Sequence, residues 1–183
     1  MVEEQSLVTA LKSQDLREKA FRELITTYKE RLYWHIRKIV LNHDDADDVL
    51  QNTFIKVFRN IDKFQGESKL YTWMYRIATN EAITFINKKA KKLQVTSEEV
   101  QQAALSNLKE DVYFEGTEIQ LKLQRAIATL PQKQQLVFNM KYFDDITYED
   151  LSKILDTSVG GLKSSYHIAV KKITAHLENN ETF

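Results

Sequence analysis

The segment SVGGLKSSYHIAVKKI, residues 158–173, starts poorly for a helix, with Gly160 and Gly161 in its first turn. Each glycine there costs about 1 kcal/mol relative to alanine. Wound at the helical period, Val159, Leu162, Tyr166, Ala169, Val170, Ile173 and Leu177 share an arc of about 100°, the width of a core-facing stripe. The opposite side then carries Gly160, Gly161, Ser164, Ser165, His167, Ile168, Lys171 and Lys172, with Lys163 at its edge and Ser158 as the helix cap. Small residues, then hydroxyls, then lysines suit a DNA duplex. Bare glycines let the unpaired N–H groups of the helix start approach a phosphate; Ser164 and His167 reach base edges, Ile168 lies against a thymine methyl, and the lysines hold phosphates. The alternative is a surface helix whose glycines permit a tight crossing with a neighbour.

A second set lies in FQGESKLYTWMYRIATNEAITFINKKAKK, residues 64–92, where aromatic rings alternate with cations: Phe64, Tyr71, Trp73, Tyr75, Arg76 and Phe85, then Lys88, Lys89, Lys91 and Lys92. Rings beside basic groups suit unstacked single strands, because every base has a π-face and every nucleotide a phosphate. The loop 64–68, with Gly66 for a tight turn and Glu67 and Ser68 as hydrogen-bonding groups, suits an extruded base. Trp73 and Phe85 fall on a stripe expected to be core. A third set sits on 46–61, where the apolar positions point inward and leave Asp47, Asp48, Gln51, Asn52, Ile55 and Arg59 outside. Acids, amides and one exposed isoleucine suit a protein partner. The alternative is a solvated face whose acids complement the helix dipole.

The elements that position these groups are helical throughout. Glycine and proline number only four and one, and apolar residues recur at three and four rather than at two. One stripe runs from Leu16 to Val40, with Asn42 read as its C-terminal stop; a second covers 46–61, and a third runs from Leu70 to Ile86 and ends in KKAKK. Residues 93–118 mix weak apolar signals with acids and read as a linker with one marginal helix, whose 26 residues reach about 85 Å when extended. Beyond it a helix through Ile127 precedes TLPQKQQLVFNMKYF, with Pro131 expected at the first helical position. Then Thr147 caps a short helix, 148–155, with Asp150 in place of the usual glutamate of a capping box. This helix and the glycine-led one form a helix-turn-helix. The expected fold is all-α: a domain at 1–92, the linker at 93–118 and a second domain at 119–183.

Composition narrows the function. With 43% apolar and 28% charged residues the chain is globular, and with no cysteine it has neither a disulfide framework nor a thiolate metal site. No metal cluster, phosphate loop or nucleophile paired with a base stands out, so an enzyme is not expected. The N-terminus is acidic and polar where a signal peptide would be basic and then apolar, and the apolar runs are short, so the cytoplasm is expected and membrane insertion is not. Net charge is zero, but residues 1–92 carry +4, 93–118 carry −5 and 119–183 carry +1.

Together, DADDVLQNTFIKVFRNIDKFQGESKLYTWMYRIATNEAITFINKK and, after the linker, LPQKQQLVFNMKYFDDITYEDLSKILDTSVGGLKSSYHIAVKKI closely resemble the extracytoplasmic-function group of sigma-70-like RNA polymerase sigma factors. The resemblance implies a transcription initiation factor without catalysis or cofactor. Asp47, Asp48, Gln51, Asn52 and Ile55 would dock on core RNA polymerase. Phe64, Gly66, Glu67, Ser68, Tyr75, Arg76, Asn80, Lys88 and Lys89 would capture the melted −10 element. Ser158, Gly160, Gly161, Lys163, Ser164, His167, Ile168, Lys171 and Lys172 would read the −35 duplex. An anti-sigma partner is implied as well. The reading helix of this family usually runs V-G-T-V-K-S-R-L-H-R-A, and here Gly161, Ser165 and Ile168 replace a threonine and two arginines, while Asp156 replaces the glycine usual at the turn. Each lost phosphate contact implies a salt dependence shallower by about one unit of slope. A stand-alone helix-turn-helix regulator is the other reading, disfavoured by the near-neutral second domain.

Overall fold

The computed structural model describes residues 2–106 and 117–179, and those residues form nine helices. They are α1 (Val2–Lys12), α2 (Arg17–Val40), α3 (His43–Asn60), α4 (Leu70–Leu93), α5 (Ser97–Ser106), α6 (Glu118–Ala128), α7 (Gln132–Tyr142), α8 (Tyr148–Leu155) and α9 (Val159–Asn179), with a 3₁₀ turn at Ile61–Lys63. Among the described residues there is no strand, and no helix is long and apolar enough to cross a membrane.

The three expected stripes bury one another. Leu24, Leu32 and Ile36 of α2, Val57 of α3, and Met74, Ala78 and Ala82 of α4 have no exposed surface. The break between α2 and α3 is built from two residues. Leu41 takes the left-handed conformation (φ 61°) and its N–H reaches back to Arg37, whereas Asn42 caps the following helix, its side chain accepting from the Asp45 N–H at 2.9 Å. Asn42 therefore starts α3 rather than stopping α2. Asp44 and Asp45 lie in the first turn of α3, where the helix dipole favours negative charge.

Residues 2–12, read above only as acidic and polar, are helical. Leu11 is 1% exposed in the core, the Lys12 ammonium donates to the Phe64 carbonyl at 2.6 Å, and Glu4 accepts the Leu70 N–H at 2.8 Å. The first helix thus pins both ends of the loop that leads into α4. The marginal helix of the linker is also anchored, with Val100 and Leu105 buried and the Gln101 amide donating to the Ile39 carbonyl. The rest of that segment, 107–116, lies outside the described residues.

In the second half Thr117 and Gln120 form a reciprocal capping box on α6. Pro131 stands one position earlier than expected, as the cap of α7, its carbonyl accepting from Gln134 and Gln135. Asp156 ends α8 in the left-handed region (φ 50°), a conformation that aspartate tolerates better than most side chains, so the turn forms without glycine. A single buried cluster joins Val137, Met140, Leu151, Ile154 and Leu162 to the core of α2, α3 and α4.

Truncating Leu11 tests whether α1 belongs to that core. Leu11→Ala is expected to cost about 2–4 kcal/mol in urea unfolding, as for other buried leucines. Leu16→Ala, at a residue 51% exposed, is expected to cost much less. A cost at Leu11 equal to that at Leu16 would show α1 to be dispensable.

Candidate functional site

The glycine-led helix turns its two faces as its period demands. Leu162, Ala169 and Ile173 are buried, while Gly160, Lys163, Ser164, His167, Ile168, Lys171 and Lys172 are exposed and Gly161 is half-buried. Val170, expected in the core, is 37% exposed. It marks one edge of the apolar arc, and the buried sector is turned toward Ala169 at the other edge. Ser158 caps the helix, its hydroxyl accepting the Gly161 N–H at 3.2 Å. A Cβ added at Gly160 would meet nothing within 4 Å, so no neighbouring helix requires that glycine, and the tight-crossing explanation fails there. A Cβ at Gly161 would press on the cap itself, 3.2 Å from the Ser158 hydroxyl. At the far end Lys172 donates to the Gln134 side chain.

The loop before α4 borders a cavity of about 430 Å³ lined by Lys63, Phe64, Glu67, Ser68, Trp73 and Arg76, and also by Ser152, Lys153 and Asp156 of α8. Its positions do not all face outward. Phe64 is only 5% exposed, its ring 5.4 Å from that of Trp73, so it forms the floor of the cavity rather than a free platform. Tyr75, expected on the DNA-contacting surface, is 1% exposed. Its ring lies 4.4 Å from the His35 imidazole, and burial pushes its phenol well above the usual range. At position 75 the helical period points the side chain to α2, and the ring fills the core. Arg76 and Asn80, one turn apart, and Lys88 are exposed on α4, and Gly66 and Glu67 are exposed in the loop before it, while Ser68 is half-buried. Lys89 instead pairs with Asp45 at 2.5 Å. Trp73 and Phe85 are half-buried, where full burial was expected.

On α3, Asp47, Asp48, Gln51, Asn52 and Ile55 are all exposed. The sequence did not reveal what lies beside them. Phe21 and Ile25 of α2 join Phe54, Ile55 and Phe58 in an apolar groove of about 670 Å³ edged by Gln51 and Arg59. The Phe21 ring packs edge-on against Phe58 at 4.8 Å and Phe54 at 6.2 Å. A smaller hollow next to it is bordered by Lys29, Asp47 and Asp48. The signal was present in the excess of aromatic rings on two adjacent stripes, more than one helix contact can bury.

The two halves meet along a polar seam. Asp144 lies against α2, where it pairs with the Lys38 ammonium and sits 3.2 Å from His35 Nδ1. His35 Nε2 is 2.9 Å from the Thr79 hydroxyl, which also lies 2.7 Å from the Tyr75 carbonyl oxygen. Asp150 faces α4, accepting from the Tyr71 hydroxyl at 2.6 Å, from the Thr72 hydroxyl at 3.1 Å and from Thr147 at 3.0 Å. Its backbone N–H donates to the Thr147 cap. The aspartate that looked like a capping-box partner thus directs its carboxylate across the seam. Burial alone would raise both carboxyls. The His35 hydrogen bond and Lys38 charge at Asp144, and the three hydroxyls at Asp150, outweigh it and hold both below the usual carboxylate range. Burial lowers the His35 pKa and keeps the ring neutral.

A histidine depressed on folding stabilises the protein while both states are neutral. Below its ordinary pKa of about 6.5 only the unfolded chain takes up the proton, so stability falls as pH drops from 7. The Asp144 contribution is lost further down, as pH falls from its ordinary value through its depressed one. Unfolding free energy is therefore expected to be about 1 kcal/mol lower at pH 5.5 than at pH 7.5, and His35→Gln is expected to reduce that difference. An unchanged difference in the variant would remove His35 from the account.

A family model described as Sigma-70 region 2 matches residues 24–92, and one described as Sigma-70, region 4 matches residues 120–173. The ECF RNA polymerase sigma factor SigW of Bacillus subtilis is 31% identical over 157 residues, covering 81% of this chain and 83% of its own. The ECF RNA polymerase sigma-E factor of Haemophilus influenzae is 29% identical over 169 residues, 88% of each chain. Among solved structures, the sigma factor RpoE bound to the anti-sigma factor NepR from Bartonella quintana has a TM-score of 0.67 at 19% identity, covering 87% of this chain and 98% of its own. CnrH in complex with the cytosolic domain of CnrY has a TM-score of 0.68 at 19% identity, covering 96% and 97%.

Proposed function

This chain belongs to the extracytoplasmic-function group of sigma-70 RNA polymerase sigma factors and is a transcription initiation factor, not an enzyme, and from that premise we propose how its surfaces divide the work. Residues 1–92 bind core polymerase and melted promoter, 119–183 bind duplex promoter, and 93–118 connect them. The α3 face of Asp47, Asp48, Gln51, Asn52 and Ile55, with the adjoining aromatic groove, docks on the polymerase. The cavity between Phe64 and Arg76 takes an unstacked base of the −10 element, with Asn80 and Lys88 continuing along the strand. The outward face of α9 reads the −35 element as duplex.

The observation that carries this assignment is the outward face of α9, which stays open to solvent along most of its length, with Lys172 held to Gln134 at its far end. The space beside Gly160 is open, and Ser164, His167, Ile168, Lys171 and Lys172 are exposed while the opposite face is buried. With Ile168 where the family's arginine stands, the helix contacts fewer phosphates, and its affinity for duplex alone is low. The polymerase supplies the rest, by holding the duplex near the helix.

The two solved relatives with bound partners support a further element: an anti-sigma protein that covers these faces in the uninduced cell, with the whole complex in the cytoplasm. Isolated from uninduced cells, the native protein is expected with such a partner in equal amount. Recovery with polymerase alone would contradict it.

The division of labour is tested by two charge reversals. Lys171→Glu should weaken promoter use tenfold or more while leaving core polymerase affinity within about twofold, since a phosphate contact is lost and a like charge is set against the DNA backbone, away from the polymerase-facing surface. Asp48→Lys should do the reverse. Equal effects of the two on both readouts would contradict it.

A further inference from the structure

We infer that α1 is a strut for the base-accepting loop: Glu4 and Lys12 are positioning residues that hold the two ends of residues 64–70 and so set the shape in which the Phe64–Arg76 cavity receives a base. The inference rests on the reading of that cavity as the base-accepting site.

The loop has little local structure of its own. Among the described residues, Gln65, Gly66, Glu67 and Ser68 take part in no backbone–backbone hydrogen bond, and Gly66 stands in the left-handed region (φ 75°). The Ser68 hydroxyl reaches only the neighbouring Lys69 carbonyl, at 3.3 Å, and the Glu67 carbonyl accepts from Lys153 of α8 at 3.1 Å. A glycine-containing segment without a ladder has many conformations of similar energy. The helix that follows is equally short of local support. Lys69 makes no side-chain cap for α4, and the first turn of α4 holds no acidic residue.

The missing groups come from α1. The leading amides of a helix need an acceptor and favour negative charge, and the Glu4 carboxylate supplies both, accepting the Leu70 N–H at 2.8 Å. At the other end of the loop, Phe64 gives its N–H to the Ile61 carbonyl at 3.0 Å, and its own carbonyl receives the Lys12 ammonium at 2.6 Å. Arg17, at the start of α2, donates to the Phe58 carbonyl at 2.6 Å and to Asp62 at 3.3 Å, and so steadies the 3₁₀ turn from which the loop leaves.

A helix is well suited to this task. From position 4 to position 12 its rise amounts to about 12 Å, a separation that stays fixed as long as the helix is folded. The strut is anchored as well, because Leu11, beside Lys12, is buried in the core. With both ends fixed, the Phe64 ring against Trp73, the Ser68 hydroxyl and Arg76 stand around the cavity before a strand arrives. The ordering of the loop is then not charged to binding, and the competent fraction does not limit affinity.

The test uses the full chain bound to core polymerase, with fluorescent single strands of a promoter's −10 element as probes, intact or carrying an abasic site at each position in turn. In the wild type one position is expected to carry a penalty of about tenfold or more, as for one stacked base. Glu4→Ala/Lys12→Met should bind the intact strand about tenfold more weakly and show a penalty below about threefold, while the abasic strand binds both proteins alike. Glu4→Gln/Lys12→Arg, which keeps an acceptor and a cation in place, should restore the penalty, and core polymerase affinity should stay at the wild-type value throughout. A ratio of two affinities does not depend on how much of a preparation is folded. A merely stabilising role for α1 would therefore leave the penalty of Glu4→Ala/Lys12→Met at its wild-type size, and that result would overturn the inference. Failure of the underlying reading looks different: no position would carry a penalty even in the wild type, and the base site and its strut would fall together.

Discussion

A carboxylate taken out of water must be met by donors, and the way this chain meets that demand organises much of its structure. Asp144 retains 7% side-chain exposure and lies between Lys38 and His35, more than a hundred residues away in sequence. His35 in turn holds its ring against Tyr75 and Thr79, so the charge of the second half is tied into the centre of the first. Remove the carboxylate, and the imidazole and ammonium of α2 lose the acceptor around which they are arranged. The penalty for leaving such groups unpaired, on the order of 1–3 kcal/mol each, is large beside the net stability of a domain. It keeps the halves in register alongside the apolar contact that Val137, Met140, Leu151 and Ile154 make with the first half's core.

This geometry forces α4 to serve three neighbours at once. One side carries Met74, Ala78 and Ala82 into the core, the Tyr71 and Thr72 hydroxyls turn toward α8, and Arg76 and Asn80 remain in solvent. The segment reads as an alternation of aromatic and cationic residues because three faces, each with its own chemistry, are interleaved along one helix. Tyr75 shows the consequence. Its neighbours in sequence line a cavity, yet at the helical period it points into the core, and what looked like a platform for a base is packing for a histidine.

Much of the fold could be read from local pattern. The period of three and four located α2, α3, α4 and α9, and Ser158 and Thr147 capped the helices they were expected to cap. What escaped depends on residues distant in sequence. The first helix is short and acidic, and only Leu11 against the core and Lys12 on the Phe64 carbonyl make it part of the domain. α5 has a weak apolar face that becomes stable once Gln101 finds the Ile39 carbonyl. Asp150 is the sharpest case, since its spacing from Thr147 is that of a capping box while its carboxylate faces hydroxyls 78 and 79 residues away. No local rule contains that information. Of the candidate site, the α9 face emerged almost whole, because exposure on a helix follows from its period; the aromatic groove did not, because it needs two helices to exist.

A protein of zero net charge that reads DNA must borrow its electrostatics from a partner. The most direct test of that dependence is binding of labelled promoter duplex to the purified protein with and without bacterial core RNA polymerase, at one fixed salt concentration. Tight association with the polymerase, and sequence-selective DNA binding only in its presence, is the expected result. Selective binding of the duplex by the protein alone, with no affinity for the polymerase, would contradict the account and leave a self-sufficient regulator in its place.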